Sequence, residues 1–354
     1  MPIDAIVNIV LSGLLTGLVY GLMALGLSVI YGVVRIVNFA HGELMTLAMY
    51  AAVFAFALAG VDPLWMLVPV ALAFFGVGYA LQRVIVNPFI DRPEHSQFIL
   101  LLAVALVLVN ALLIAFGPDA RTVQVGYALD SYQIGPLLVD KVRVICAVVA
   151  LVACALLFAI FRYTAFGKAI RACADNLLGA QVVGLDVKHL YALTFGLGTA
   201  CVGVAGCLLS MLIDVTPVSG PAYTLLAFVI VIIGGLGSMV GALAGGVLIG
   251  VSESVAGLLI TPSAKSMISF ALLILPLAAA SAQTALKKED DEKMVIGLYA
   301  ISIAVDTCDL DMTKDQETRL EFWTEWAEKQ LNIADRKLDK TYDAMETEAE
   351  KNKK

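Results

Sequence analysis

The sequence predicts an all-α, polytopic integral membrane protein with eight or nine transmembrane helices and a charged, helical C-terminal tail. Hydrophobic residues make up 60% of the 354 residues and charged residues only 15%. The mean hydropathy of +0.90 is well above that of a soluble globular domain. Apolar runs of about 20 residues, the length that crosses a bilayer, recur along the first 283 residues.

Nine apolar segments account for this fold class. Tyr223–Gly234 is short and Leu44–Ala59 follows a polar motif, so either one is a candidate for a broken or re-entrant helix, and the predicted number of spans is eight or nine. The nine candidate spans are Ala5–Val34, Leu44–Ala59, Leu64–Val86, Phe98–Phe116, Val142–Phe161, Leu190–Ile213, Tyr223–Gly234, Val240–Ile260 and Met267–Ala282.

Basic residues predict the orientation, because loops rich in Lys and Arg stay in the cytoplasm. The Gln82–Gln97 loop carries Arg83 and Arg92, and the 162–188 loop carries Arg162, Lys168, Arg171 and Lys188. Both loops are therefore predicted to be cytoplasmic, and Gly117–Lys141 to be external. If all nine segments cross the membrane, the N-terminus lies outside and the tail inside.

The tail differs in composition from the membrane part. Residues 1–283 contain 11 Lys/Arg and 12 Asp/Glu, whereas residues 284–354 contain 12 and 18. Thr313–Gln316 has the pattern of a capping box, and apolar residues then follow at helical spacing, which predicts an acidic amphipathic helix. Lys265–Ala282 also has the layout of a secretory signal, and on that interpretation the tail is cleaved and periplasmic.

Two sets of glycines are spaced four residues apart within apolar segments, a spacing that lets membrane helices approach closely. This spacing predicts helix packing within the bundle, with a dimer face as the alternative. The two sets are Gly13, Gly17 and Gly21, and Gly237, Gly241 and Gly245.

A few polar residues stand out in the membrane part. Asn38, His41 and Glu43 occur together in VNFAHGE, and Glu253 is the only carboxylate of its span. Burying a carboxylate in lipid is costly, so such residues pair with other groups or line a solute path. Glu43 either fixes a helix break near the cytoplasmic surface or contacts solute or a gate. Glu253 either lines a translocation path or is solvated near the external end.

No catalytic, metal or cofactor site is predicted. The sequence lacks GxSxG and HExxH motifs, and it lacks a Walker A loop because Met239 and Val240 follow GGLGS, which instead predicts a turn. The six cysteines form no CxxC pair and are interpreted as small apolar helix residues. The chain is predicted not to be an enzyme and to have no nucleic-acid partner. Because it lacks a Walker A loop, ATP hydrolysis would occur on another polypeptide.

Three separated segments, Tyr20–Tyr50, Gly167–Leu208 and Phe228–Glu253, resemble the permeases of branched-chain amino acid ABC importers, specifically the first of their two related permease types. The resemblance covers roughly residues 5–275. It implies a bacterial inner-membrane permease that pairs with a second, related or identical permease and with cytoplasmic ATP-binding subunits. A periplasmic solute-binding protein would deliver a small polar solute. Permeases of urea and short-chain amide importers look similar and remain an alternative.

The resemblance also assigns a role to the polar segment between two apolar spans. Residues 162–189 resemble a cytoplasmic coupling segment that docks on an ATPase, with Leu177 and Val182 expected behind the basic residues. The residues carried over are Gly167, Lys168, Arg171, Ala172, Asn176 and Gly184.

The end of the chain differs from the family, which leaves the origin of the tail open, and a different class of function is also an alternative. The chain departs from the family after its last span, where LPLAAASAQTALKKEDDEK leads into the acidic tail in place of a short basic end. A secondary transporter or channel would need no ATPase and would place its coupling ions or selectivity on Glu43 and Glu253.

Overall fold

The computed structural model describes residues 3–259 except Asp91 and Pro136, together with Ala271, Leu272 and Thr347. Its described part is a bundle of α-helices, and seven of them are long and apolar enough to cross a membrane. These helices confirm the predicted all-α polytopic fold class. The ninth predicted span, Met267–Ala282, lies almost entirely outside the described residues, as does the tail from 284 to 354.

The bounds of the helices follow the order of the predicted spans. The described α-helices are α1 (Ile3–Val34), α2 (His41–Ala59), α3 (Pro63–Ala80), α4 (Glu94–Phe116), α5 (Lys141–Tyr163), α6 (Ala165–Asp175), α7 (Leu177–Val182), α8 (Val187–Leu209), α9 (Gly220–Gly234) and α10 (Met239–Leu259). The chain continues from α3 through a π-helical turn at Leu81–Val86 and a 3-10 turn at Asn87–Phe89.

Short polar side chains set the starts of several helices. The carboxylate of Asp62 accepts a hydrogen bond from the Leu64 backbone N–H at 2.9 Å, and Pro63 occupies the first turn of α3. Asp140 caps α5 and Asp186 caps α8 in the same way. Such caps satisfy N–H groups that have no partner inside their own helix. Gly60 ends α2 in the left-handed conformation with φ 63°, which glycine adopts without steric cost.

A small β-hairpin interrupts the region predicted as an external loop. Strands β1 (Ser131–Ile134) and β2 (Leu137–Asp140) pair antiparallel, with Tyr132 opposite Val139. The Asn8 side chain accepts a hydrogen bond from the Leu138 N–H, which ties the hairpin to the start of α1. We call this end of the bundle the hairpin end. The opposite end carries Arg83, Arg162, Lys168, Arg171 and Lys188, and we call it the basic end.

Helix α1 lies at the centre of the bundle and packs against α5, α8, α9 and α10. Its glycines allow this crowding. Gly17 lies against the Gly246 carbonyl of α10, and Gly26 lies against the Gly198 carbonyl of α8. A side chain at these positions would overlap the neighbouring backbone. Close backbone approach between small residues is the usual way in which membrane helices gain dispersion contacts.

The glycines singled out from the sequence lie at three different contacts. Gly13 and Gly17 face the backbone and Ser254 side chain of α10, and Gly21 faces Leu243. Gly241 packs against Gly234, and Gly245 packs against Ile230, so both serve the α9–α10 contact. Gly237, with φ 82°, lies in the turn between these helices and touches Gly32 at the end of α1.

Substituting Gly246→Ala tests the α1–α10 contact, because the new methyl group would overlap the backbone of Gly21. We expect the free energy of unfolding to fall by about 1–3 kcal/mol, the usual cost of overpacking. Thermal unfolding of the detergent-solubilised protein measures the change.

Gly76→Ala is the matched control, since nothing lies within 4 Å of the added methyl group in α3. The control should leave the melting temperature unchanged or raise it, because alanine favours a helix. Equal melting temperatures for both variants would contradict the proposed close packing of α1 and α10.

Candidate functional site

Helix α2 begins inside the bundle and not at its surface. Its first residue, His41, is fully buried, and its Nε2 atom lies 3.0 Å from the carbonyl oxygen of Met23. Met23 lies about three helical turns before the end of α1. The chain therefore leaves α1 at the basic end and returns through an extended segment, residues 35–40, to the middle of the bundle. Arg35 starts this return with a φ of 58°, an uncommon conformation for a side-chain-bearing residue.

Helix α9 begins in the same interior region. It has only 15 residues and is about 22 Å long, shorter than the ~30 Å hydrocarbon core of a bilayer. The chain enters α9 through residues 210–219, which follow the end of α8. From this meeting point α2 runs to the hairpin end, where Tyr50 stacks on Phe116 with ring centroids 4.6 Å apart. Helix α9 runs to the basic end.

The first turns of α2 and α9 are in backbone contact. A methyl group on Gly42 would overlap the carbonyl oxygen of Gly220, and a methyl group on Gly220 would lie 3.0 Å from the Cα of Glu43. There is thus no room for a side chain at Gly42, and one at Gly220 would fit only if Glu43 shifted. We call α2 and α9 the two half-helices because both begin inside the bundle, and their first turns pack backbone to backbone here.

Thr224 of α9 joins the two helices through hydrogen bonds. The backbone N–H of Gly42 donates to Thr224 Oγ1 at 2.8 Å, and the Thr224 hydroxyl lies 3.1 Å from Glu43 Oε2, to which it donates. Glu43 is 3% exposed, so this hydroxyl replaces part of the water that the carboxyl group has lost. Among the described residues, Glu43 forms no ion pair with a basic side chain. The start of α2 at Glu43 thus lies in the bundle interior.

Asn38 and His41 are also fully buried next to this junction. Asn38 Oδ1 accepts from the Ala40 N–H at 3.0 Å. Because a carbonyl oxygen only accepts hydrogen bonds, His41 Nε2 must carry the proton that it donates to Met23. Within the described part of the chain, Asn38 Nδ2 and His41 Nδ1 have no hydrogen-bond partner. Leaving such atoms unpaired typically costs about 1–3 kcal/mol each.

Glu253 lies on the other side of the first turn of α9. It interacts with Tyr20 of α1 and with Tyr223 of α9, and Arg143 of α5 lies in the same electrostatic environment. Tyr223 and Thr224 are consecutive residues of α9. Tyr223 lies near Glu253, and Thr224 lies near Glu43. The structure therefore brings all four polar residues singled out from the sequence to the first turns of the two half-helices.

The sequence analysis missed Gly42, Gly220 and Thr224, although a signal for them exists. Residues 37–47 and 215–225 share the pattern V-x4-G-x3-T-L. In each copy the valine lies in the non-helical segment before the helix, residues 35–40 or 210–219, and the glycine lies in the first turn of α2 or α9. The two copies run in opposite directions through the bundle, as the halves of an inverted repeat do.

The predicted coupling residues lie on α6 and α7 at the basic end. Lys168, Arg171 and Ala172 are exposed on α6, and neither basic residue forms an ion pair among the described residues. Asn176 caps α7 by accepting from the Gly179 N–H at 2.8 Å, and Gly184 turns the chain after α7 with φ 83°.

The buried side of this segment differs from the expectation. Leu177 and Val182 do not lie behind the basic residues, since their exposed fractions are 43% and 87%. The face that packs on the bundle is instead formed by Gly167, Ile170 and Cys173. The prediction was wrong because α6 ends at Asp175 and a separate helix, α7, begins at Leu177, which breaks the helical periodicity.

Helix α6 contacts α1 and α8, which are followed by the non-helical segments 35–40 and 210–219. Cys173 is buried and hydrogen-bonds the side chain of Tyr191 in α8, and Arg35 at the end of α1 is close enough to influence Tyr191 electrostatically. Burial raises the pKa of the Cys173 thiol, and the hydrogen bond with Tyr191 lowers it by a smaller amount. Helix α6 is therefore in contact with both helices at the basic end.

Comparisons with known proteins identify what the chain is similar to. The family model described as branched-chain amino acid transport system / permease component matches residues 9–277. LivH, a high-affinity branched-chain amino acid transport system permease protein, is 31% identical over 287 residues in Salmonella typhimurium and in Escherichia coli, covering 75% of this chain and 91% of the relative. BraD of Pseudomonas aeruginosa, described in the same words, is 29% identical over 279 residues with the same coverage. No solved structure matches the chain.

Replacing Thr224 tests the junction of α2 and α9. Thr224→Val keeps the size of the side chain but removes the acceptor for the Gly42 N–H and the donor to Glu43. We expect the free energy of unfolding to fall by about 1–3 kcal/mol, because buried polar groups lose their partner. Thermal unfolding in detergent measures the loss.

Thr224→Ser is the control, since it retains the hydroxyl and should stay within about 1 kcal/mol of the native protein. A Thr224→Ser loss as large as that of Thr224→Val would show that packing of the methyl group, and not the hydrogen bonds, holds the junction.

Maleimide labelling tests the seating of α6. In a chain whose other cysteines are replaced by serine, we expect Cys173 to react at least about tenfold more slowly at pH 7.5 than a cysteine introduced by Ala172→Cys in a Cys173→Ser background. Thiolate is the reactive form, and the raised pKa of Cys173 keeps the thiol protonated at this pH. Equal rates would show that α6 is not packed on the bundle as described.

Proposed function

We infer the function from one premise: the chain belongs to the family of permease components of branched-chain amino acid transport systems. It is a multi-pass inner-membrane protein and the permease subunit of an ABC importer. Its role in transport is to provide the path through the membrane. ATP hydrolysis belongs to a separate subunit.

The substrate class that we propose is branched-chain amino acids. The named relatives cover three quarters of the chain and are described as permeases for these solutes. An amino acid carries a carboxylate and an ammonium group, and the junction of α2 and α9 offers a partner for each. Helix N-termini favour anions, while Glu43 and Glu253 favour a cation.

We propose that the contact between Gly42 and Gly220 is the gate of this path. The backbone contact closes the space between the half-helices, and Asn38 and His41 beside it each have a buried polar atom without a described partner. We propose that these atoms gain partners when the helices separate, which would make opening less costly. The close contact at the glycines is the observation that carries the gate assignment.

The coupling role of α6 and α7 completes the proposal. Exposed Lys168 and Arg171 lack acidic partners within the described residues, so they are available to an acidic groove on an ATPase subunit. The buried face of α6 contacts α1 and α8. A shift of α6 would therefore move the helices that lead into both extended segments and would change the distance between Gly42 and Gly220.

Charge reversal at the proposed docking face tests this coupling. In proteoliposomes that contain the ATP-binding subunits, a second permease and the solute-binding protein, Arg171→Glu should reduce ATP-driven leucine uptake at least about tenfold, because like charges would face each other across the interface. Thermal unfolding of the variant should match the native protein, since Arg171 is exposed.

Arg92→Glu is the matched control, because Arg92 is an exposed arginine at the same end of the bundle but outside the coupling segment. It should retain uptake. Unimpaired uptake by Arg171→Glu would overturn the docking assignment, and equal loss in both variants would attribute the effect to the overall charge of the basic end.

A further inference from the structure

We propose that a cleft at the basic end, between the end of α3 and the start of α8, binds the headgroup of an anionic phospholipid. The cleft has a volume of about 400 Å³ and is lined by Arg83, Asn87, Pro88, Asp186, Lys188 and His189. This inference goes beyond the proposed function, since it concerns the surrounding membrane and not the transported solute. It rests on the membrane location of the chain.

The charge of the cleft favours a phosphate group. Arg83 and Lys188 are exposed, and neither forms an ion pair with a described acidic residue. The one carboxylate in the lining, Asp186, caps α8 by accepting from the His189 backbone N–H at 3.1 Å. Its charge is therefore directed at the start of the helix, and the two basic side chains remain for a ligand.

A chain of hydrogen bonds orients the donors. Arg83 Nη1 donates to the Tyr79 hydroxyl at 2.6 Å, and that hydroxyl lies 3.0 Å from His189 Nδ1. The donor in the contact between Tyr79 and His189 depends on the imidazole tautomer. In the tautomer whose Nδ1 accepts the tyrosine proton, Nε2 carries a proton and is a further donor for a phosphate oxygen.

The two walls of the cleft are held together firmly. Gln82 Nε2 donates to Asn87 Oδ1 at 3.0 Å, and Asn87 Nδ2 donates to the backbone carbonyl of Lys188 at 3.1 Å. Deeper in the bundle, Gly78 of α3 lies against the side chain of Thr199 in α8. The basic side chains thus project from backbone positions that are already fixed, so binding would order side chains and not the backbone.

The surface of α3 next to the cleft distinguishes a lipid from a soluble phosphate compound. One stripe of the helix surface, with residues at intervals of three to four, carries Val68, Leu72, Gly76 and Tyr79 of α3, and it continues to Arg83 in the π-helical turn. The exposed fractions of Val68 and Leu72 are 67% and 69%. Nothing lies within 4 Å of the position that a Gly76 side chain would take, so this part of the stripe is open. An acyl chain would lie along the apolar stripe while its headgroup occupies the cleft.

The basic cleft and the adjacent apolar stripe of α3 together match the headgroup and acyl chain of an anionic phospholipid. Basic pockets between transmembrane helices on the cytoplasmic side are typical sites for acidic lipid headgroups. The Lys188 and Arg83 side chains lie where an apolar stripe ends, which is the position of the phosphate in a bilayer leaflet.

Native mass spectrometry of the full-length, detergent-solubilised protein tests the proposal with palmitoyl-oleoyl phosphatidylglycerol as the probe. The double variant Arg83→Gln/Lys188→Gln should bind the lipid about 30-fold more weakly than the native protein, as expected for two lost charge contacts. The matched control Arg92→Gln/Arg162→Gln removes two exposed arginines of the basic end outside the cleft and should bind like the native protein. Palmitoyl-oleoyl phosphatidylcholine should bind weakly to all three proteins.

Three outcomes would overturn the proposal. Equal losses in the two double variants would mean that only the overall charge of the basic end matters. Competition by glycerol phosphate as effective as competition by the lipid would assign the cleft to a soluble phosphate ester. Unchanged lipid binding by Arg83→Gln/Lys188→Gln, together with loss of a co-purifying protein subunit, would assign the cleft to a protein interface. Thermal unfolding of both variants checks that they are folded.

Tyr79→Phe gives a second, independent readout. It keeps both charges and the apolar stripe but removes the hydroxyl that links Arg83 to His189. We expect phosphatidylglycerol binding to weaken by about threefold to tenfold, the usual effect of losing a positioned hydrogen bond. Full lipid affinity in this variant would contradict the orienting role of Tyr79.

Discussion

The backbone contact between Gly42 and Gly220 is the constraint on which the rest of the described structure depends. In a bilayer, every backbone polar group must find a partner inside the protein, so interrupted helices occur only where neighbouring helices enclose them. Two interruptions meet here, and each supplies partners for the other. The Gly42 N–H reaches Thr224 Oγ1, and the same hydroxyl reaches Glu43. Either half-helix alone would leave these groups without a partner.

Helix α1 supplies the enclosure that makes this arrangement stable. It contacts α10 through Gly13 and Gly17, and α8 through Gly26. These contacts bring helix backbones close enough for dispersion forces to replace the hydrophobic effect, which does not operate between helices inside lipid. The Met23 carbonyl of α1 also accepts the hydrogen bond from His41. One helix thus holds the bundle together and positions the polar junction.

The same arrangement links the proposed gate to the proposed docking segment through two helices. Helix α6 packs near the end of α1, where residues 35–40 begin, and near the start of α8, whose opposite end leads into residues 210–219. Packed helices move as rigid bodies, so a small displacement at one end is transmitted to the other. The inverted relation between the two copies of V-x4-G-x3-T-L would let one displacement act on α2 and α9 in opposite directions.

The sequence by itself determined the fold class, the order of the membrane helices and the family, because hydrophobic length and local motifs are properties of consecutive residues. The interrupted helix at Asn38–Glu43, the turn at GGLGS and the four polar candidates were also visible at this level. The contact of Gly42 with Gly220 was decided only by the tertiary structure, since the partners are far apart in sequence and the repeat that relates them is short and runs in the opposite direction. The hairpin at 131–140 and the buried face of α6 likewise depended on packing. Sequence patterns report which residues avoid water, but which backbone they touch depends on how neighbouring helices satisfy one another's polar groups.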